Sequence, residues 1–181
     1  MNILAIDIGT TTGWALGTRD GEIKSGSKSF APSRTDGPGQ RWLKFRAHLT
    51  ELGRSVGELQ AVYYEDVRRH GPGQVLAAHA YGGFLAHLQH WCEMNHVQCI
   101  PLGVGQIKKS WTGKGNAKKD AMIAEAIRRG YKPVDDNHAD ALAILDLARA
   151  LESGQVELTS KPKKKKPAKP RKAPSFFAAA A

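Results

Sequence analysis

The sequence predicts an α/β domain built on a mixed five-stranded sheet with flanking helices. Three strand patterns follow one another near the start, with glycine-bearing turns between them: NILAIDI, GWALGT and EIKSGSKSF. Serial strands of this kind favour an antiparallel meander. Two further strand patterns, LQAVYYED and VQCIPL, alternate with helical segments, an order that is typical of a mixed sheet covered by helices.

Apolar residues at helical spacing predict the helices. RWLKFRAHLTELGRSV comes first, a second helix runs from about Gln74 to Asn95, and GVGQIKKSW forms a short third one. AKKDAMIAEAIRR follows a GKGN loop, with Asn116 as its predicted N-cap and Gly130 beyond its end. The last helix is predicted to begin near Asp135 in DDNHADALAILDLARALESG.

Charge divides the chain into two parts. The net charge is +10, but no acidic residue follows Glu157, and eight of the 27 basic residues lie beyond it. The part before the tail therefore has a net charge of only +2. KPKKKKPAKPRK lacks apolar periodicity and cannot bury enough surface to fold alone. We predict a folded domain over 1–157 and a disordered Lys/Pro-rich basic tail over 158–181, which either attracts nucleic acid or only solubilises the chain.

The length and the cysteine content exclude several classes of protein. The 181 residues suit one α/β domain and not a two-lobed enzyme. No apolar run approaches the roughly 20 residues of a membrane span, and no signal-peptide pattern is present at the start. We therefore expect a cytoplasmic protein without a membrane partner, in a bacterial or phage-infected cell. Cys92 and Cys99 lack the spacing of a zinc site and are expected to be reduced thiols.

Acidic residues stand where predicted strands end. Asp7 follows the first strand and precedes the Gly/Thr run of IDIGTTTG, and Glu65 and Asp66 end the fourth strand. Side chains alternate between the two faces of a strand, so only one of Glu65 and Asp66 can point into a common site. Strand ends of open α/β sheets are where catalytic groups gather.

A third acidic cluster begins the last helix. At roughly 100° per residue, Asp136 lies about 40° from Asp140 around the helix, Asn137 about 60° and His138 about 160°. Asp136 and Asn137 can therefore share a site with Asp140, whereas His138 is expected to face away. The apolar run that follows, ALAIL, places this cluster close to the sheet.

Carboxylates that converge on one point repel each other unless a cation lies between them. Their hard oxygen atoms suit Mg²⁺ or Mn²⁺, and two such ions can activate water for in-line displacement at a phosphodiester. Singly, these residues have ordinary alternatives as a turn cap, an edge charge or a helix-start residue. Jointly, they indicate a metal site whose candidate catalytic residues and ligands are Asp7, one of Glu65 and Asp66, and Asp136 with Asp140.

Several segments resemble the RuvC-type Holliday junction resolvases of the ribonuclease H-like superfamily, including its phage-borne branch. The similarity covers about residues 2–150, through these segments: IDIGTTTGWAL, YYEDV, QVLAAHAYGGFLAHL, IPLGVGQIKKSWTGKGNAKKDAM and DDNHADALAIL. The resemblance implies a ribonuclease H-like fold and a two-metal endonuclease, usually a homodimer, that nicks two strands of a four-way DNA junction.

The family's acidic ligands carry over to Asp7, Glu65 and Asp140. Many members place an Asp or His where this chain has Asn137, so the resemblance leaves the fourth ligand open between Asp136, Asn137 and His138. After Glu65, bacterial relatives often have an aromatic residue that stacks at the junction centre. Arg68 and Arg69 occupy that region here, which favours a phosphate clamp or arginine stacking instead.

Two surfaces are candidates for partners. Lysines cluster around GKGN at positions 108, 109, 114, 118 and 119, and we predict DNA contacts there by Lys108, Lys109, Lys114 and Lys118; a solvated helix entry is the alternative. Ala78, Gly82 and Ala86 form one stripe of the second helix, with Gly83 beside it. Close approach by the same helix of a second subunit, or packing on the chain's own sheet, would explain the stripe.

Two other functions compete with the nuclease interpretation. IDIGTTTG also resembles the phosphate loop of the actin-like ATPase and sugar kinase group, but that group requires a second lobe and a second phosphate segment, which this sequence lacks. A catalytically degenerate protein that only binds branched DNA is the other alternative, and Asn137 is the residue that favours it.

Overall fold

The computed structural model describes residues 1–69 and 71–157, and it contains the predicted mixed sheet. The five strands are β1 (Ile3–Asp7), β2 (Thr11–Gly17), β3 (Ile23–Ser29), β4 (Ala61–Asp66) and β5 (Gln98–Gly103). Their order across the sheet is β3-β2-β1-β4-β5. β1, β2 and β3 pair antiparallel, and β1, β4 and β5 pair in parallel. The predicted fold class is therefore confirmed.

Five helices connect and cover these strands. They are α1 (Gln40–Arg54), α2 (Val75–Met94), α3 (Val104–Thr112), α4 (Lys119–Arg128) and α5 (Asp136–Glu152). All five were predicted, with ends that differ by a few residues. No helix among the described residues combines the length and the apolar content that a bilayer crossing requires. The predicted tail over 158–181 lies outside the described residues.

The alternation of side chains along β1 and β4 divides the core into two halves. Ile3 and Ala5 pack on the face covered by α3, α4 and α5, together with Tyr63 of β4. Leu4 and Ile6 pack on the opposite face, against α1 and α2. Both faces of the central strands are thus buried, as expected for parallel strands between two helical layers. Cys92 and Cys99 both carry free thiols, as predicted.

One predicted helix boundary is wrong. Asn116 is not the N-cap of α4: the helix begins later, and its N-cap is Lys118 in an extended conformation. The GKGN segment instead packs on α3. The Gly113 amide donates to the carbonyl of Lys109 at 2.9 Å, and Gly115 packs closely on the Gly105 backbone. These two contacts leave Asn116 in the loop. Gly130 follows the end of α4 with a φ of 88°, as predicted.

Candidate functional site

Asp7 and Glu65 lie side by side at one end of the parallel strands. Ile6 and Tyr64 are register partners across β1 and β4, so Asp7 and Glu65 follow at adjacent positions. Both continue the face of the sheet that α5 covers, because they lie two residues after Ala5 and Tyr63 respectively. The next residue, Asp66, belongs to the opposite parity and pairs with Arg68 at 2.6 Å. Strand geometry thus selects Glu65 over Asp66.

The start of α5 is fixed by hydrogen bonds that also sort its acidic residues. Asp135 caps the helix: its Oδ1 accepts the His138 amide proton at 2.8 Å, and its Oδ2 accepts the Ser27 hydroxyl at 2.5 Å. The His138 ring turns toward β3, with Nε2 at 2.8 Å from Ser25 Oγ, and Nδ1 accepts the Val134 amide at 3.2 Å. Asp135 and His138 therefore hold the helix on the sheet, and they leave Asp136 and Asp140 on another side.

A glycine in β2 lets this helix approach the first strand. Gly13 is the register partner of Asp7, and a Cβ at that position would overlap the main-chain carbonyl of Asn137. The backbone of α5 therefore packs directly on β2, one strand away from Asp7. This role of Gly13 has no local signal in the sequence, because it depends on a contact between β2 and the distant helix α5.

Asp136 and Asp140 differ in their partners. Asp136 forms an ion pair with Lys119 at the start of α4, which holds the pKa of the Asp136 carboxyl below its usual value. In Asp140, by contrast, Oδ1 is buried and has no hydrogen-bond partner among the described residues. A buried carboxylate oxygen without a partner raises the free energy of the folded state. A cation bound at Asp140 would offset this cost.

Burial and mutual repulsion raise the pKa values of three carboxyls. The pKa of Asp7 lies well above its usual value, first because burial removes water and then because Glu65, Asp140 and Asp136 add negative charge. Burial, followed by the charge of Asp140, raises the pKa of Glu65 to about 7. Burial raises the pKa of Asp140 to about 6, against the opposing charge of Lys108. These shifts show that the carboxyls form one electrostatic cluster.

Within residues 1–69 and 71–157, no group of three or more His, Cys, Asp and Glu side chains has the arrangement of a metal-binding site. Asp7, Glu65 and Asp140 are therefore related by their charges and burial, and not by a common coordination point.

The predicted DNA-contacting residues fall into two groups. Lys108 on α3 is half-buried, and its charge opposes the rise in the pKa of Glu65 and Asp140. The remaining predicted residues are exposed at two sides of the cluster: Arg68 and Arg69 after β4, and Lys109, Lys114 and Lys118 along α3 and the following loop. Lys119, which was left out of the predicted contacts, lies closest to the acidic residues through its ion pair with Asp136.

A cleft of about 230 Å³ opens beside Asp7 and Glu65. One wall is the turn after β1, with Gly9 and Thr10, and the other is formed by α2. Tyr81 of α2 fixes the rim: its hydroxyl donates to the Glu65 carbonyl at 2.9 Å and accepts the Val67 amide at 3.0 Å. No local sequence pattern predicts this contact, because it joins Tyr81 of α2 to Glu65 and Val67 at the end of β4.

Comparison with solved structures identifies the fold. The structure of T. thermophilus RuvC in complex with Holliday junction substrate matches with a TM-score of 0.70 and 23% identity, over 85% of this chain and 96% of that chain. This chain has the RuvC fold. A second T. thermophilus RuvC structure matches with a TM-score of 0.65 and 22% identity, over 85% and 97% of the two chains.

A more distant relative shares the RuvC fold as well. The yeast mitochondrial Holliday junction resolvase matches with a TM-score of 0.53 and 12% identity, over 78% of this chain and 75% of that chain. No protein-family model and no curated protein sequence matches the chain. The similarity to the RuvC fold therefore rests on the three-dimensional structure, and it confirms the ribonuclease H-like architecture that the motifs indicated.

Proposed function

We propose that this protein is a metal-dependent, structure-selective DNA endonuclease that resolves four-way junctions by paired nicks. The observation that carries the proposal is the acidic cluster on a RuvC fold: Asp7 and Glu65 follow adjacent positions of β1 and β4, Asp140 lies in the first turns of α5, and the pKa of each of these carboxyls is raised. A cluster maintained at this electrostatic cost is typical of a functional site. The T. thermophilus RuvC structure with the same fold holds a Holliday junction substrate, which supports DNA junctions as the substrate class.

The residues present fit a divalent metal centre. Carboxylate oxygens are the ligands that Mg²⁺ and Mn²⁺ prefer, and the unpartnered Oδ1 of Asp140 is an oxygen available to a cation. We propose that Asp7, Glu65, Asp136 and Asp140 hold the metal, most simply as two ions. When bound there, Mg²⁺ or Mn²⁺ would supply water activation and charge stabilisation for phosphodiester hydrolysis.

Asp136 is the proposed fourth ligand. The His138 ring already contacts Ser25 and Val134, and the Asn137 backbone packs on Gly13. Asp136 is ionised readily, because Lys119 lowers the pKa of its carboxyl. Its present partner is an exposed lysine on another element, so the carboxylate can exchange that partner for a cation without disturbing the start of α5.

Lysines beside the cluster would contact the scissile phosphate. Lys108 is half-buried near Glu65 and Asp140, and a cation in such a site stabilises the negative charge that develops on phosphate oxygens. Lys119 would leave Asp136 and contact a phosphate oxygen when the metal is bound. Lys109, Lys114 and Lys118, with Arg68 and Arg69 on the other side, are exposed and suited to backbone phosphates further along the junction arms.

A homodimer is proposed through α2. Gly83 is explained by the chain's own packing, because a Cβ there would overlap the Trp42 ring. Gly82 is exposed, and among the described residues no atom lies within 4 Å of its Cβ position. Val75, about two helical turns earlier on the same face, is 60% exposed. The small and apolar residues of this face therefore remain available to a second subunit, which would present two acidic clusters to a two-fold symmetric junction.

The test compares a labelled four-way junction with a linear duplex of the same sequence, in Mg²⁺, Mn²⁺ or EDTA. We expect symmetric paired nicks in the junction alone, which EDTA abolishes. Asp7→Asn should remove cleavage and retain junction binding, whereas Asp20→Asn, an exposed residue in the turn after β2, should cleave like the wild type.

Two outcomes would replace the proposal. Tight junction binding without cleavage in either metal would assign the chain to the degenerate branched-DNA binders. The loss of activity would then be attributed first to Asn137. ATP binding without junction binding would instead support the actin-like alternative. The basic tail and the cytoplasmic location stay predictions from the sequence.

A further inference from the structure

The first turn of α1 contains an arginine with unused hydrogen-bonding capacity. The guanidinium of Arg41 donates from Nη2 to Thr10 Oγ1 at 3.2 Å, and its Nε is buried with no partner among the described residues. None of the ion pairs found in residues 1–69 and 71–157 includes it. An arginine stays charged and offers five N–H donors, so a neutral hydroxyl satisfies only a small part of this group.

Aromatic rings hold the guanidinium in place. The Arg41 Cζ lies 5.2 Å from the centroid of the Trp42 ring and 5.5 Å from that of Phe84, both within the range of cation–π attraction. Trp42 is itself stacked on His87 at 5.3 Å, and Gly83 leaves the space that the indole occupies. The side chain is thus oriented before any ligand arrives, which lowers the entropic cost of binding.

The position of Arg41 relates it to the candidate active site. Thr10, which accepts its hydrogen bond, lines the same cleft as Asp7 and Glu65. The cations that oppose the raised pKa values of the acidic cluster are Lys108 and Lys119, and Arg41 is not among them. Arg41 is therefore a cation that contacts the wall of the cleft through Thr10 and has no anionic partner among the described residues.

We propose that Arg41 binds a backbone phosphate of the DNA strand that enters the cleft, at the wall formed by Thr10. The planar fork of a guanidinium matches two phosphate oxygens. The contact rests on the proposed function, since a junction nuclease must position its substrate strand on both sides of the scissile phosphate. This phosphate contact on α1 would act together with the lysines of α3 and α4. Thr10 and Trp42 would hold the Arg41 side chain in position through a hydrogen bond and a cation–π contact.

The test measures the salt dependence of junction binding by the full chain in EDTA. For Arg41→Gln, the slope of log affinity against log salt should fall by about 1, as for one lost phosphate contact, and the affinity should fall about threefold to tenfold. Arg54→Gln removes the same charge from an exposed position at the other end of α1 and should keep the wild-type slope.

Arg41→Lys separates charge from shape. It should keep the slope, because the positive charge remains, and still lose affinity, because the fork and the stacking are lost. An unchanged slope in Arg41→Gln together with a lowered melting temperature would overturn the proposal and leave Arg41 as a structural tie between α1 and Thr10. Displacement of the junction from the wild type by inorganic phosphate or ATP, but not from Arg41→Gln, would overturn it in favour of a free phosphate site.

A second measurement covers the case in which Arg41→Gln does not fold. Single phosphates of the junction strands are replaced in turn by neutral methylphosphonates. At one position, the replacement should lower the junction affinity of the wild type by a larger factor than it lowers the affinity of Arg41→Lys. Equal weakening at every position would contradict the contact. If the wild type binds no junction at all, the proposed function itself fails; if it binds and cleaves while the slope of Arg41→Gln is unchanged, only the role of Arg41 fails.

Discussion

The Glu65 carboxyl has an unusually high proton affinity because it is buried and lies beside Asp140. Its pKa is about 7 in the folded protein, against about 4.3 in an unfolded chain. The folded state therefore binds a proton that the unfolded state releases between these values. The contribution of Glu65 to stability is fully present below the unfolded pKa and is lost as the pH rises through about 7.

Glu65→Gln should therefore stabilise the metal-free protein at high pH. We expect the free energy of unfolding to rise by about 1–3 kcal/mol at pH 8 and to change little at pH 4, because the charged form alone is penalised. Urea unfolding in EDTA at the two pH values measures this difference. Glu58→Gln, at an exposed position before β4, is the control and should show no such pH dependence. Equal effects of Glu65→Gln at both pH values would contradict the origin assigned to the shift.

Tyr81 is a positioning residue for Glu65. Its hydroxyl bridges the Glu65 carbonyl and the Val67 amide at the end of β4, so its loss should loosen a proposed ligand without removing it. Tyr81→Phe should raise the Mg²⁺ concentration for half-maximal cleavage by about tenfold, the scale of effects from outer-sphere partners. Junction binding in EDTA should stay at the wild-type level. Tyr131→Phe, on the loop after α4, should leave the Mg²⁺ dependence unchanged, and a shared effect of both variants would argue against a specific role.

Sequence periodicity could group the candidate acidic residues but not predict the residues that support them. Alternation along β4 allowed only one of Glu65 and Asp66 in a common site, and the helical angle between Asp136 and Asp140 grouped those two. Arg41, Tyr81 and Lys119 act through contacts between separate elements. No local pattern encodes such contacts, because they depend on how α1, α2 and α4 are placed on the sheet.

At the scale of elements, the docking of α5 on β2 assembles the acidic cluster. Gly13 permits the backbone contact with Asn137, and Ser25 and Ser27 of β3 bond to His138 and Asp135. The helix is also the most buried one, with nine buried residues. Its start is therefore held by two strands of the sheet, β2 and β3, through specific contacts, and its position relative to Asp7 is well defined.

Gly13→Ala should disrupt that arrangement. The added methyl group would meet the Asn137 carbonyl, and we expect a loss of about 2–3 kcal/mol of stability, in the range of overpacked cores. Junction cleavage should fall by more than the stability loss explains, because Asp136 and Asp140 move away from Asp7. Gly37→Ala introduces the same methyl group where no atom lies within 4 Å and should behave like the wild type. Full activity of a folded Gly13→Ala protein would refute the proposed role of this contact.

The boundaries of elements were predicted well where apolar periodicity ends and poorly where a loop has its own packing. α5 was expected near Asp135, and that residue is its N-cap. Asn116 has the chemistry of a cap and yet remains in the loop between α3 and α4, because Gly115 packs on Gly105. Backbone contact between two distant glycines is invisible to a rule that considers one residue type at one position.

At the scale of the whole molecule, the proposed dimer links two active sites to one junction. Val75 of α2 lies on the same face as Gly82, about two helical turns before it, and is 60% exposed. Val75→Asp should convert the dimer to a monomer in sedimentation, because it buries charge at the proposed interface. On a supercoiled plasmid with a cruciform, the variant should give nicked circles, whereas the wild type gives linear product.

Ile127→Asp is the matched control for the dimer. It places the same charge at a residue on α4 that is 60% exposed, far along the chain from α2, and it should leave both the oligomeric state and the linear product unchanged. A wild-type protein that sediments as a monomer on its own and with DNA would contradict the homodimer.

The acidic cluster joins the two ends of the described domain. Asp7 belongs to the first strand, whereas Asp136 and Asp140 belong to α5, so the carboxylates cannot meet until nearly the whole domain has left the ribosome. A nascent chain, or one from which a protease has removed α5, carries Asp7 and Glu65 without their partners. By this order of assembly, the proposed nuclease site would form only in a chain that already includes α5.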